Sequence, residues 1–397
     1  MTAPSDVDRD TLVHVAASAS GRAVDDVSDT TVTPLGYVAN NPTSEGVYLV
    51  RTMARSGNVK HPVAVVLKVC RAWPAADREP IAHELRERLL DVFRFEREAE
   101  LYASGILEAL PPGLAAPACF GIDRDEGRAA LWLEYVEEER GDRWDLARFA
   151  LAARHLGRFN GEYLAGKPLP TYPWLSRDAV ATWSDSWIRR VPQLLEDEAV
   201  WSHPMVRGSF PAASRETFRR LLSSRERWIA AMDRLPQTLS HLDAFRANLL
   251  SRHRAGTTET VAVDWSFFGI AAFGAEIAQL VMATLFYHGE PLEPTELAAA
   301  SLDGYAAGLA DAGYHVDQAA LERAYAVNAI VRWALLLHPL AAVTRPEEVA
   351  RRAASQRRPF EEIIALIARR TRYLFPLVTA CEPLSVGRWT KSAHSPG

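Results

Sequence analysis

Apolar residues come in short alternating or continuous runs through the first third of the chain, then repeat at helical spacing almost to its end. The pattern predicts a short amphipathic helix over residues 6–18 and strands over 31–39, 47–53 and 62–70, the first two separated by the turn-rich stretch 40–46. Leu85, Leu89, Val92, Phe95 and Tyr102 recur at helical spacing and predict one long helix over 80–104. Segments 118–123 and 129–136 read as a hairpin around Asp125-Glu126-Gly127. A helix over 144–164 follows, and the remainder is helical except for two short strands between Asn248 and Asp264. Strands first and helices afterwards predict an α+β protein of two lobes, 1–136 and 137–383, with a loosely held tail at 384–397.

Composition narrows the classes. The 397 residues are 48% hydrophobic and 24% charged, which is ordinary globular composition and enough chain for two cores. A net charge of −5 argues against nucleic acid or an anionic membrane surface as partner. The basic run from Arg351 to Arg358 lies on an amphipathic pattern and reads as a solvated helix face. Cys70, Cys119 and Cys381 show no paired spacing, so neither a zinc site nor a disulfide framework is expected. Residues 1–10 have no apolar core of a secretory signal, and the longest apolar run, 334–343, is interrupted by His338 and Pro339. A cytoplasmic protein that does not enter a membrane is the expectation; the oligomeric state is open.

Chemistry concentrates in one stretch. His241-Leu242-Asp243-Ala244-Phe245-Arg246-Ala247-Asn248 reads H-x-D-x-x-x-x-N, and the apolar run Val261-Ala262-Val263 then ends in Asp264. Phosphoryl transfer from a nucleotide uses groups in this order. One carboxylate orients the attacking hydroxyl and takes up its proton, an amide reaches Mg²⁺, and a second carboxylate holds metal across the phosphates. On this reading Asp243 and His241 are catalytic and Asn248 and Asp264 bind metal. Arg246 either faces the γ-phosphate or solvates the surface.

Only four of the 45 basic residues are lysines, and one of them, Lys68, sits inside the apolar strand Val65-Val66-Leu67-Lys68-Val69. It either holds nucleotide phosphates or faces solvent from a half-exposed strand. Glu98 lies three residues after Phe95 and four before Tyr102, on the inward stripe of the helix, where a carboxylate needs a counter-charge. Lys68 is one candidate, and Arg94 at i,i+4 spacing is the other. The loop ending near Ser44 offers backbone N–H groups to phosphates or is an ordinary hairpin turn. On the acceptor side, Trp183, Asp185 and Trp187 stand in a tryptophan-rich helical stretch, suited either to a hydroxylated ligand or to helix packing.

Together these parts resemble the aminoglycoside phosphotransferase and choline kinase-like family, the small-molecule branch of the protein-kinase fold. The resemblance is carried by Leu239-Ser240-His241-Leu242-Asp243, Asn248 and Val263-Asp264-Trp265, with Lys68 and Glu98 upstream, and spans roughly residues 30–340. It implies a small antiparallel-sheet nucleotide lobe and a larger, mainly helical lobe. It further implies ATP or GTP as phosphoryl donor, Mg²⁺ as cofactor, and a small hydroxylated molecule as acceptor: an antibiotic, sugar, nucleoside or amino-alcohol. Asp243 is then the catalytic carboxylate, Lys68 touches phosphates with Glu98 as its anchor, and the connector Glu134, Tyr135, Val136 meets the base. The chain departs from the family at Leu242, where glycine is common, at Phe245, and at Glu276, which stands in a Phe-Gly-x-acid context where the family braces its catalytic loop with Asp. Glu276 is grouped here with the acceptor-side residues. A nucleotide-binding pseudokinase and a helical small-molecule binding protein are the alternative readings.

Overall fold

The computed structural model describes residues 7–35, 41–138, 143–254, 256–285 and 289–381. Packing sorts the chain into two units, one of Met1–Asp142, Tyr172–Leu175 and Ala247–Phe268, the other of Arg143–Thr171, Ser176–Arg246 and Gly269–Gly397. Where the sequence suggests a single cut after residue 136, the segment carrying Asn248 and Asp264 packs with the first unit. The physical reason is strand pairing across the intervening chain: Thr260 donates its N–H to the Gly113 carbonyl at 2.8 Å. The expected tail at 384–397 lies outside the described residues.

The first unit contains β1 (Asp26–Pro34), β2 (Ser44–Ser56), β3 (Val59–Arg71), β4 (Leu114–Ala115), β5 (Cys119–Asp125) and β6 (Arg128–Glu134). Five of these form an antiparallel sheet in the order β1-β2-β3-β6-β5. β2 and β3 outrun their apolar cores because Gly57, at φ 59°, closes a tight turn that pairs Ser56 with Val59. β1 begins earlier than its apolar run and stops at Pro34; residues 36–40 of the expected strand lie outside the described residues. Side chains of β3 alternate between two faces. Val63, Val65, Leu67 and Val69 pack with Leu12 and Val15 of the helix Arg9–Ser20, whereas Val66 joins the cluster of Ala99, Leu131 and Leu133. Lys68 shares parity with Val66, so it points to the face covered by the helix that carries Glu98.

That helix is shorter than expected. The periodic stretch 80–104 breaks into His83–Val92 and Arg97–Ala103. Arg97, fully buried, causes the break: Nη1 donates to the carbonyl of Val92 at 2.7 Å and Nη2 to that of Asp91, ending the first helix. Its other donors reach the carbonyls of Trp174 at 2.8 Å and Ser266 at 3.0 Å, so one guanidinium ties together three backbone segments. The unit is completed by β8 (Leu249–Arg254) and β9 (Thr257–Ala262), a hairpin whose second strand runs parallel to β4.

In the second unit the helix Leu146–Leu164 lies against Pro294–Asp311. A Cβ at Gly157, Gly304 or Gly308 would run into backbone of the facing helix, so these glycines set the close approach. Asn160 then fixes the strand β7 (Gln237–Ser240): it donates to the Leu239 carbonyl at 2.8 Å and accepts from Thr238 at 2.9 Å and Tyr305 at 2.7 Å. β7 pairs antiparallel with β10 (Gly269–Ala272) and delivers the chain into the loop that begins at His241. The stretch Gln318–Ala342 does reach the length and mean hydropathy, 1.2, of a membrane span, contrary to the sequence expectation. In its most apolar window 78% of the residues are buried, so this stretch, which holds the helix Gln318–Trp333, belongs to the core.

Candidate active site

Within the first unit, Lys68 stands between two carboxylates. Nζ donates to Glu98 and, at 2.8 Å, to Asp264 Oδ1. Glu98 spends its second oxygen on the backbone N–H of Trp265 at 3.2 Å, which ties the helix to the segment after β9. Of the two partners open to Glu98, the structure thus provides Lys68, and it removes the alternative of a solvent-facing lysine. Burial alone would lower the Lys68 pKa, but Asp264 and Glu98 outweigh it and hold it well above its ordinary value. Burial pushes the Glu98 carboxyl up, against the pull of Lys68. One ammonium facing two carboxylates leaves this cluster one negative charge in excess.

Asp264 has a left-handed backbone, φ 59°, and Ser266 Oγ donates to its Oδ1 at 2.8 Å. Asn248 is its neighbour across the hairpin, because Val263 donates its N–H to the Asn248 carbonyl at 2.9 Å and Leu249 pairs with Ala262. A carboxylate and an amide oxygen on neighbouring positions of a hairpin are hard donors of the kind Mg²⁺ prefers. Among the described residues no group of three His, Cys, Asp or Glu could hold a metal on its own. The donor set therefore fits an ion that completes its shell with water and phosphate oxygens.

The other first-unit candidates divide. Ser44 is the first residue of β2, paired with Cys70, and belongs to a strand rather than a phosphate-cradling loop. Glu134 pairs with Arg252 at 3.0 Å and accepts the Ala118 N–H at 3.1 Å, so its side chain is committed to structure. Tyr135 and Val136 follow β6, half-buried, with the Arg51 guanidinium 5.8 Å from the Tyr135 ring centre.

Within the second unit, the loop after β7 is braced from below. His241 is fully buried; its Nδ1 accepts the Asp243 N–H at 3.2 Å and its own N–H goes to Glu276 Oε2 at 2.7 Å. The ring thus closes a turn of the loop that presents Asp243. Glu276, at 1% exposure, stands in the brace position that its Phe-Gly-x-acid context implied, rather than among acceptor-side residues. Burial pushes its carboxyl up to about 7, opposed by the backbone N–H groups of His241, Leu242 and Ala244. Gln279, one turn further along the same helix, donates to Asp243 Oδ1 at 2.8 Å, and Arg332 Nη2 lies 3.8 Å from that oxygen. Arg246 stacks over Trp144, 4.7 Å from the ring centre, and is buried, which removes the solvated-surface alternative.

The acceptor candidates are mutually engaged. Trp183 meets Trp187 at 5.8 Å and Trp333 at 5.9 Å, and Trp187 stacks on His338 at 4.5 Å. Asp185 pairs with Arg225 at 2.6 Å, so its carboxylate is matched by a cation of the fold. Sequence reasoning missed Gln279 and Arg332. Both left a signal: Gln279 lies three residues from Glu276 on one helix face, and Arg332 is a charge set in the apolar run Ala329-Ile330-Val331-Arg332-Trp333.

No protein-family model matches this chain, and no curated protein matches its sequence. Solved structures do match. A microcompartment-associated aminopropanol kinase is similar over 93% of this chain and 98% of its own, with TM-score 0.50 and 15% identity. An aminoglycoside phosphotransferase from Alicyclobacillus acidocaldarius is similar over 87% of this chain and 92% of its own, with TM-score 0.50 and 13% identity. The chain has the mixed α+β fold of small-molecule kinases, as the sequence resemblance implied.

Proposed function

We propose that the chain transfers the γ-phosphoryl group of ATP or GTP to a hydroxyl of a small molecule. The observation that carries this reading is the buried Lys68–Glu98–Asp264 cluster. A lysine fixed on a central strand by a helix glutamate, beside a carboxylate at the end of a hairpin, is the arrangement that holds nucleotide phosphates in kinases. Asn248 and Asp264 would hold Mg²⁺, which when bound supplies positive charge to the phosphate oxygens. Asp243 orients the acceptor hydroxyl and takes its proton as the oxygen attacks phosphorus and the bond to the β-phosphate oxygen breaks. Gln279 and Arg332 fix the Asp243 carboxylate, and His241 and Glu276 hold the loop that presents it.

The charges beside Asp243 bear on the acceptor. Arg332 faces its carboxylate, and Asp185, an acid offered for acceptor recognition, is already paired with Arg225. A neutral or anionic hydroxyl compound, such as a sugar or nucleoside, suits these surroundings better than a polycation. A nucleoside triphosphate donor is consistent with action in the cytoplasm.

The test is thermal stability with and without Mg²⁺ and ATP or GTP, on the wild type and on Asp264→Ala. A nucleotide at a hundred times its dissociation constant adds about 2.7 kcal/mol. Metal-dependent stabilisation lost in Asp264→Ala is the expected result, with Asp243→Asn keeping the stabilisation and losing turnover. No stabilisation by either nucleotide removes the reading.

A further inference from the structure

Independently of phosphoryl transfer, we propose that the cavity beside the helix Phe360–Cys381 binds a small organic polyanion, one bearing phosphate or several carboxylates. The cavity measures about 510 Å³. Arg357, Arg358, Arg369 and Arg372 line it, against the single carboxylate of Glu362, in a protein whose net charge is −5. Leu366 supplies an apolar wall, so the ligand it fits has charged groups on a carbon body.

Two observations set this apart from a solvated basic face. First, two of the guanidiniums, those of Arg369 and Arg372, are oriented by backbone carbonyls rather than by acids. Arg369 donates to the carbonyls of Glu290 at 3.3 Å and of Leu292, and Arg372 to that of Ser209 at 3.0 Å. Carbonyl oxygens fix a guanidinium without cancelling its charge, and among the described residues Arg357, Arg369 and Arg372 have no ion-pair partner. Fixed cations in a concave site are prearranged for a bidentate anion. Second, Arg357 does not continue the preceding helix, which ends at Gln356; it caps it at φ 52°, a left-handed position where glycine is the usual residue. An arginine held there against backbone preference puts a cation at the rim of the cavity at some cost to the fold.

The test is calorimetric titration of the full chain with pyrophosphate and with citrate, without divalent cations and at constant ionic strength. Saturable binding tighter than about 1 mM by at least one of them is expected. Pyrophosphate alone identifies a phosphorylated ligand, citrate alone a polycarboxylate. Arg357→Gly suits the left-handed backbone and keeps the fold, and it should weaken binding roughly tenfold, as should Arg372→Gln. Binding by neither anion, or binding that both variants leave unchanged, overturns the proposal.

Discussion

Arg332 holds Leu242 in place: its Nη1 donates to the Leu242 carbonyl at 2.8 Å while Leu242 sits at φ 65° with its side chain buried. The family resemblance leads one to expect glycine at this position, and the left-handed backbone shows why. Leucine there costs about 1–2 kcal/mol in backbone conformation, but losing a buried leucine side chain costs about 2–5 kcal/mol. Packing outweighs strain. Leu242→Gly should therefore lower the unfolding free energy by about 2 kcal/mol in urea denaturation, and a variant as stable as the wild type would show that strain dominates.

The Lys68 cluster makes a second prediction that needs no substrate. Lys68→Met leaves Glu98 buried and without its cation, which costs about 3–5 kcal/mol. Removing both charges in Lys68→Met, Glu98→Gln should recover part of that loss. A double-mutant cycle by chemical denaturation measures the coupling, and additive losses would mean that the two side chains do not share a charge pair in solution.

What could be read in the sequence follows the range over which each feature acts. Asp243, Asn248 and Asp264 sit in one short stretch with fixed spacing, and Glu98 faces Lys68 because helix and strand periods each decide a direction. The break at residues 93–96 was hidden, since Leu89, Val92 and Phe95 keep the apolar rhythm while Arg97 caps the Asp91 and Val92 carbonyls from a position that Trp174 and Ser266, far along the chain, help to hold. The grouping of Ala247–Phe268 with the first unit likewise depends on a pairing with β4, invisible to any local pattern. Arg332 acts on Leu242 across ninety positions of sequence. The side-chain partners of Asp185 and His241 were hidden for a related reason. Residue type announced the chemistry, while the partners, Arg225 for Asp185 and the Asp243 N–H of the same loop for His241, are set by the folded chain.

Glu276 makes stability fall with rising pH. Its carboxyl is raised from 4.5 to about 7, mainly by burial, so the folded chain binds this proton more tightly than the unfolded one. The contribution is complete below pH 4.5 and disappears as the pH rises through 7, a change of roughly 3 kcal/mol. Glu276→Gln has no such proton. Subtracting its unfolding free energy from that of the wild type at pH 5 and again at pH 8 isolates the effect; an equal difference at both would show that Glu276 ionises normally.

His338 acts in the opposite direction. Burial lowers its pKa from 6.5 to about 3, helped by Arg352, Arg370 and Arg190, so the folded chain keeps the imidazole neutral where the unfolded chain would charge it. Its contribution is present above pH 6.5 and is lost as pH falls, at about 1.4 kcal/mol for each unit down to pH 3. His155, lowered to about 4 chiefly by burial, has the same sign and remains in any His338 variant. His338→Phe keeps an aromatic ring against Trp187 and abolishes only the His338 share. Its unfolding free energy should therefore fall by about 2 kcal/mol less than that of the wild type between pH 7 and pH 5. Parallel losses in the two proteins would mean that His338 is protonated in the folded state and that the three arginines are screened from it.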